Sequence, residues 1–218
     1  MEAVVERLAR SPRLPLILRD LEAFWKKEQK GRKRFYDSIE DGQKVEFING
    51  KVIIHSPDTA RHIEIRKRMT MLLDTFVAQH GLGRVFDEKA LVCLSRNDYM
   101  PDVVLFLGAK AAAITPEQLQ FPAPDLAVEV LSASTAKRDR GVKFNDYAAH
   151  AVAEYWIVDP EFRTVEIFRL DAFGKYELAW KYSGDDILRS EVLPDLKAPA
   201  RALFENAANL AAVRRLLR

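Results

Sequence analysis

Apolar and polar positions alternate with the period of β-strands along much of the chain. The clearest signal lies in residues 44–54, where two apolar runs are joined by Asn49 and Gly50, a dipeptide that adopts the positive backbone angles of a tight hairpin turn. In a two-residue hairpin, Glu46 faces Ile53. Further strands are predicted for residues 84–94, with an interruption near Asp87 as an alternative, for residues 99–107, 164–170 and 176–182, and for two apolar segments within 124–160.

Helical periodicity separates these strands. The strongest helix follows Asp58 and ends near Gly81, and its inward face includes His62. Arg66 and its two basic neighbours fall on the other sides, where solvent contact is expected. Weaker helical patterns cover residues 15–30, 139–150 and about 200–218. The order of helix, hairpin, helix and then mostly strands predicts an α/β or α+β domain built on a mixed β-sheet flanked by helices.

The 218 residues are expected to form a single domain. Residues 1–40 are predicted to be a basic N-terminal helical extension, residues 41–200 the core, and residues 201–218 a C-terminal helix. The first 34 residues contain ten Lys or Arg and five acids. Such a segment is more often a solvated helix, and the alternative is an arm that contacts phosphates.

Composition excludes some classes of protein. Hydrophobic residues make up 48% and charged residues 30% of the chain, and no apolar run approaches the roughly 20 residues of a membrane-spanning helix. The first 13 residues alternate charged and apolar positions, unlike a secretory leader. The single cysteine, Cys93, cannot form an internal disulfide, which favours a reducing, cytoplasmic setting.

Two acids stand inside strand-like runs, where an unpaired charge is costly to bury. They are Asp102 in residues 99–107 and Glu129 in residues 124–131. If the two strands are neighbours, these carboxylates converge, and a cation such as Mg²⁺ relieves their repulsion while keeping positions open for water and phosphate. The alternative is that each acid marks a strand end or forms a salt bridge. The residue pattern alone leaves both interpretations open.

Lys143 lies beside the apolar stripe of the helix predicted for residues 139–150. Its stem could follow the core and present the ammonium to a pocket, where it would position a water molecule or stabilise charge on a phosphoryl oxygen. The alternative is an exposed lysine paired with Asp139 or Asp146 on a solvated helix, and periodicity does not separate the two.

The chain resembles the Uma-two family of restriction-endonuclease-like proteins, a branch of the PD-(D/E)XK nuclease superfamily. The resemblance rests on Pro101-Asp102, the run P-D-L-A-V-E-V-L-S-A-S-T, and the later segments K-F-N-D-Y and E-Y-W-I-V-D-P, and it extends from about Glu46 onward. It implies a nuclease-like α/β core and Mg²⁺-dependent phosphodiester cleavage. The site residues that it implies are Asp102, Glu129 and Lys143, with Glu46 and His62 as possible auxiliaries.

The chain departs from this pattern in two ways. The usual superfamily lysine stands two residues after its acid, at the position of Leu131, so the resemblance implies that Lys143 replaces it, with Lys137 as the nearest rival. Ala151 occupies a place where the family commonly has glycine, which puts the local backbone shape in doubt.

These features lead to two functional hypotheses. In the first, Asp102, Glu129 and the carbonyl of Val130 hold Mg²⁺ in a DNA-cleaving hydrolase, which by analogy is a homodimer. Lys143 orients or activates the attacking water. Phosphate contacts are expected from three basic side chains: Lys137, Arg138 and Arg140. In the second, the nuclease fold is an inactive DNA-binding or protein-interaction module. Glu46 could equally be an exposed hairpin acid, and His62 a core residue.

Overall fold

The computed structural model describes residues 2–40 and 42–218. Its α-helices are α1 Glu2–Ala9, α2 Leu14–Asp37, α3 Ala60–Gln79, α4 Gly108–Ala112, α5 Ala136–Arg138, α6 Phe144–Ala149 and α7 Asn206–Leu216. A turn of π-helix, Asp139–Lys143, joins α5 to α6, and a short 3₁₀ helix, Ala200–Leu203, precedes α7. In the part of the chain that is described, no helix has both the length and the apolar character needed to cross a membrane.

The strands are β1 Val45–Ile48, β2 Lys51–Ile54, β3 Gly83–Asp87, β4 Leu91–Cys93, β5 Asp98–Tyr99, β6 Val103–Leu107, β7 Gln120–Phe121, β8 Leu126–Val130, β9 Glu154–Asp159, β10 Thr164–Leu170 and β11 Tyr176–Ser183. They form a five-stranded sheet in the order β2-β1-β5-β4-β7 and a six-stranded sheet in the order β11-β10-β9-β8-β6-β3. Both sheets are mixed, since β8 runs parallel to β9 and β4 to β7. The predicted α/β class with a mixed sheet and flanking helices is confirmed.

Three apolar clusters join the layers. On one face of the six-stranded sheet, α3, the 3₁₀ helix and α7 cover β6, β8 and β9. On the opposite face, α6 and parts of the five-stranded sheet pack against the same three strands, with Val104, Ala127 and Tyr147 in contact. A third, smaller cluster joins the end of α2 to β1 through Phe35 and Phe47. The strands β6 and β8 are therefore buried on both faces, which fits their continuous apolar sequences.

The predicted hairpin and the predicted helix α3 are both confirmed. Asn49 and Gly50 have φ angles of 50° and 77°, and Glu46 pairs with Ile53. The helix α3 begins after Thr59, whose side chain accepts a hydrogen bond from the His62 backbone N–H.

Two predicted strands are each divided in two. Residues 84–94 contribute β3 to the six-stranded sheet and β4 to the five-stranded sheet, and residues 99–107 contribute β5 and β6 in the same manner. Pro101 lies between β5 and β6, where a residue without a backbone N–H disturbs strand pairing least. Each of these two segments therefore crosses from one sheet to the other, and Asp102 lies at the second of these two crossings.

Two basic side chains expected in solvent are buried. Arg32 donates to Asp98 at 2.7 Å and to the Leu94 carbonyl at 2.6 Å, fixing the second half of α2 to the five-stranded sheet. Arg66 is buried between Asp58 and Glu88, at 3.2 and 3.0 Å. Periodicity places a residue on a face of its helix, but it does not show that another segment covers that face.

Ala151 has a φ of 57°, in the left-handed region that glycine adopts without strain. We expect Ala151→Gly to increase the free energy of unfolding by about 0.5 to 1 kcal/mol, because the strain relieved exceeds the added chain entropy. Urea unfolding followed by circular dichroism measures this change. Ala149→Gly, at an exposed helical position, is the matched control and should lower stability. A decrease in Ala151→Gly would contradict the prediction.

Candidate active site

The two acids singled out in the sequence lie on neighbouring strands. Antiparallel pairing of β6 with β8 places Val103 opposite Val128, and continuing this register by one residue places Asp102 opposite Glu129. Residues directly opposite in an antiparallel pair share a face of the sheet. Both acids are buried, with relative exposures of 1% and 3%. The same face carries α6 and the π-helical turn, so this arrangement brings the acids and the helix bearing Lys143 together.

Three groups donate to the Asp102 carboxylate. Lys44 Nζ lies 2.6 Å and His62 Nε2 3.1 Å from Oδ1, and the Val130 backbone N–H donates to Oδ2 at 2.8 Å. Burial by itself raises the pKa of Asp102, but the hydrogen bond from His62 and the charge of Lys44 outweigh burial and hold the pKa below its ordinary value. Asp102 is therefore a charged, fully partnered carboxylate.

Lys143 lies inside a ring of three carboxylates. Its ammonium is 2.9 Å from Glu46, 2.9 Å from Glu129 and 3.3 Å from Asp139, and the side chain is 1% exposed. Burial lowers the pKa of Lys143, but the surrounding acids raise it well above the ordinary value. The exposed lysine considered in the sequence is thus excluded, and the ammonium points toward Glu129.

Glu46 and Glu129 respond differently to this environment. Glu46 also accepts hydrogen bonds from His55 at 2.8 Å and from the Met100 backbone N–H at 3.1 Å. Burial opposes its ionisation, yet the Lys143 charge and the His55 hydrogen bond lower its pKa to about 2. Burial raises the pKa of Glu129 well above the ordinary value; attraction to Lys143 opposes this, whereas the nearby acids Asp139, Asp102 and Glu46 raise it further. Glu129 is the acid least well compensated.

The cluster contains more carboxylates than ammonium groups. Four acids (Glu46, Asp102, Glu129 and Asp139) are accompanied by two lysines, Lys44 and Lys143. Neither oxygen of the buried Asp139 accepts a hydrogen bond. Oxygen donors and surplus negative charge suit a hard divalent cation. However, among residues 2–40 and 42–218 no three His, Cys, Asp or Glu side chains are grouped so as to hold a metal ion. The chemistry of the donors fits Mg²⁺, although the present arrangement is not a finished metal site.

A cleft of about 990 Å³ reaches the cluster through its two histidines, while the four acids and two lysines lie behind the residues that line it. His55 and His62 line one wall, and the segment after β8, which includes Leu131 and Arg138, lines another. The two histidines each donate a hydrogen bond to an acid of the cluster, so they lie between the buried charges and the open space. The far side of the cluster is closed by the core.

The three predicted phosphate-contacting residues are placed differently. Arg138 lines the cleft and Lys137 is exposed on α5. Arg140 lies 2.6 Å from Glu166 of β10, and this acid is also bound by Lys181. The helix therefore brings Arg138 to the cleft and holds Arg140 in a salt-bridge network on the sheet.

Three members of the cluster were not identified in the sequence as site residues: Lys44, His55 and Asp139. Lys44 and His55 flank the hairpin and reach the site only because β1 pairs with β5. Asp139 was considered only as a surface partner of Lys143, four residues later. The sequence did contain a signal for Asp139. An acid and a base four residues apart, at the edge of an apolar helical stripe, can be buried together.

The fold and this cluster define a nuclease-like α/β protein whose charged site lies at the ends of two central strands. Residues 32–201 match the family described as "Uma2: Putative restriction endonuclease", and the chain belongs to that family. Its structure is similar to a crystal structure from Anabaena variabilis ATCC 29413 described as a "putative nuclease belonging to DUF820". That similarity has a TM-score of 0.67 at 19% identity and covers 80% of this chain and 96% of the other. No curated protein matches the chain. Family membership supports a nuclease.

Removing the ammonium of Lys143 should strongly destabilise the protein. We expect Lys143→Met to lower the free energy of unfolding by about 3 to 5 kcal/mol, because three buried carboxylates lose their shared partner. Urea unfolding at neutral pH measures the loss, and Lys137→Met, at an exposed position of the same helical segment, should change stability little. Equal stability of the two variants would mean that Lys143 does not hold the cluster together.

The lowered pKa of Glu46 predicts part of the acid sensitivity. A carboxylate with a folded-state pKa of about 2 and an ordinary value of 4.5 stabilises the fold above pH 4.5 and loses that contribution as the pH falls toward 2. The contribution is on the order of 3 kcal/mol. Glu46→Gln should therefore show a shallower fall of stability over this window than the wild type, while Glu22→Gln, on the exposed part of α2, keeps the wild-type slope. Identical slopes for Glu46→Gln and wild type would contradict this.

Proposed function

We propose that the protein is a Mg²⁺-dependent endonuclease that hydrolyses DNA phosphodiester bonds. The observation that carries this proposal is the cluster of four buried carboxylates and two lysines beside a cleft of about 990 Å³. Carboxylates are costly to bury, and a charge surplus next to an open cleft has a physical use if a divalent cation and a phosphate share it. Membership in a family described as restriction endonucleases supports the same activity.

Asp102 and Glu129 are the proposed metal ligands, helped by the carbonyl of Val130. The two acids face each other across β6 and β8, and Glu129 is the acid for which the present neighbours compensate least. When bound, a divalent cation supplies Lewis-acid polarisation of a phosphoryl oxygen. Asp102 is held for this role by the Val130 N–H, which fixes one oxygen and leaves Oδ1 to exchangeable partners.

The proposed role of Lys143 is to fix Glu129 and to place a positive charge beside the attacking water. An ammonium has three hydrogens, and three carboxylates surround this one. Glu46 and Asp139 thereby orient Lys143, which orients Glu129. His62 bonds to Asp102 and lines the cleft, so it is placed either to hold the carboxylate or to meet a phosphate.

DNA is proposed to bind along the cleft, with Arg138 and Lys137 contacting phosphates. Arg138 lines the opening, and the Lys137 ammonium is exposed beside it. Arg140 would contribute only if it left Glu166, so its part in binding is secondary. We also propose a homodimer, because cutting both strands of a duplex commonly uses two copies of one site, and a cytoplasmic setting, in which the single Cys93 stays reduced.

One observation favours a second candidate, a nuclease fold that binds without cleaving. Lys44 and Lys143 already neutralise part of the negative charge, so the cluster is partnered without any metal ion. A module that binds DNA or another protein through the same cleft would need no further cation.

Cleavage assays with plasmid and single-stranded DNA separate the two candidates. We expect Mg²⁺-dependent cleavage by the wild type and a loss of at least about 100-fold in Asp102→Asn and Glu129→Gln, which preserve side-chain size while removing charge. Asp74→Asn, an exposed acid on α3, is the matched control and should cleave like the wild type.

Circular dichroism confirms that each variant is folded, and gel-shift binding in EDTA measures DNA affinity without turnover. DNA binding without cleavage, whichever divalent metal is added, would support the second candidate, a nuclease fold that binds without cleaving. Equal cleavage by wild type, Asp102→Asn and Glu129→Gln would show that these two acids do not form the active site.

A further inference from the structure

The two lysines of the cluster have different environments. Lys143 is 1% exposed and is held by three carboxylates. Lys44 is 13% exposed, more than the other three side chains that pair with the cluster's acids, and its closest acid is Asp102 at 2.6 Å. Lys44 stands just before β1, and its backbone is held by a hydrogen bond from the His55 N–H, so only the four-carbon side chain has to move. Only one of the two ammonium groups is thus placed to move without opening the core.

The position of the Lys44 ammonium is one that a metal ion would need. The Lys44 ammonium contacts Asp102 Oδ1 at 2.6 Å, the oxygen that is not fixed by the Val130 N–H. A small divalent cation and an ammonium that contact the same carboxylate oxygen repel each other, so they compete for that oxygen.

We propose that Lys44 is an exchangeable internal cation, which occupies a place against Asp102 Oδ1 and must leave it when a divalent metal ion binds. This inference rests on the proposed function, in which these two acids are the metal ligands. In this proposal the Lys44 ammonium supplies the positive charge next to Asp102 that a metal ion would otherwise supply. It also assigns Lys44 a positioning role: the residue sets how tightly the metal is held.

The alternative is that Lys44 is only a structural partner of Asp102. In that case its removal leaves Asp102 poorly compensated and loosens the local structure, and metal affinity stays the same or falls. If Lys44 is an exchangeable cation, its removal raises the metal affinity, because a charge that competes with the metal ion is lost. The sign of the change in affinity therefore decides between the two.

Direct titration with Mn²⁺, with free ion measured by electron paramagnetic resonance, tests this without reference to activity. We expect Lys44→Met and Lys44→Gln to bind Mn²⁺ about tenfold or more tightly than the wild type, because a unit charge in contact with the site is lost. Lys44→Arg, which keeps the charge, should bind about as weakly as the wild type. Lys51→Met is the matched control, since Lys51 is an exposed lysine of the same hairpin, and it should leave the affinity unchanged.

Thermal unfolding gives a second readout. Mn²⁺ should raise the unfolding temperature more in Lys44→Gln than in the wild type, since tighter binding to the folded state adds stability. Lys44→Gln keeps a hydrogen-bond donor next to Asp102, which preserves a folded protein if Lys44→Met is too unstable to measure. Unchanged or weaker Mn²⁺ binding in folded Lys44→Gln, or equal tightening in Lys51→Met, would overturn the proposal.

The double variant Lys44→Gln with Asp102→Asn distinguishes failure of this proposal from failure of the proposed function. Loss of the tight Mn²⁺ binding in the double variant places the ion on Asp102, as the exchange requires. Tight binding that persists without Asp102 would place the ion elsewhere, and both proposals would fail. Cleavage by a wild type whose affinity does not respond to Lys44→Gln would leave the nuclease intact and reject only the exchange.

Discussion

The cost of burying carboxylates organises the centre of this molecule. Four acids from four different segments meet on one face of the six-stranded sheet, at the ends of β6 and β8. Each is too costly to bury alone, so the fold supplies two ammonium groups, two histidines and backbone N–H groups around them. The compensation remains incomplete, since Glu129 has a raised pKa and Asp139 accepts no hydrogen bond. The proposed metal binding rests on this incomplete compensation.

The surrounding helices and strands position these side chains. The hairpin of β1 and β2 brings Glu46 and His55, α3 brings His62, and the π-helical turn carries Asp139 at its start and Lys143 at its end. A π-helical turn inside a helix is rare and is found mostly at functional sites. Because each segment contributes one or two charges, loss of any one charge affects partners that are distant in sequence. Stability and the proposed chemistry therefore depend on the same contacts.

Two lysines in one site can have separate roles. Lys143 is enclosed by acids and holds their geometry, whereas Lys44 lies nearer to water and pairs with one oxygen of Asp102. Such a division would let a nuclease remain folded and inactive without metal and become active when a divalent cation replaces a side-chain charge. The cleft beside the histidines gives the space through which cation and substrate would enter.

The sequence by itself determined the features that depend on local physics or on an ordered motif. Asn49-Gly50 specified the hairpin and its register, the apolar period specified α3, and strand alternation with the family resemblance identified Asp102, Glu129 and Lys143 as residues that would meet. The tertiary structure alone decided which basic residues are buried. Arg32, Arg66 and Lys44 have no sequence signal for burial, because their partners are contributed by segments far along the chain. Periodicity gives the direction of a side chain, and only the packing of the whole fold gives its neighbours.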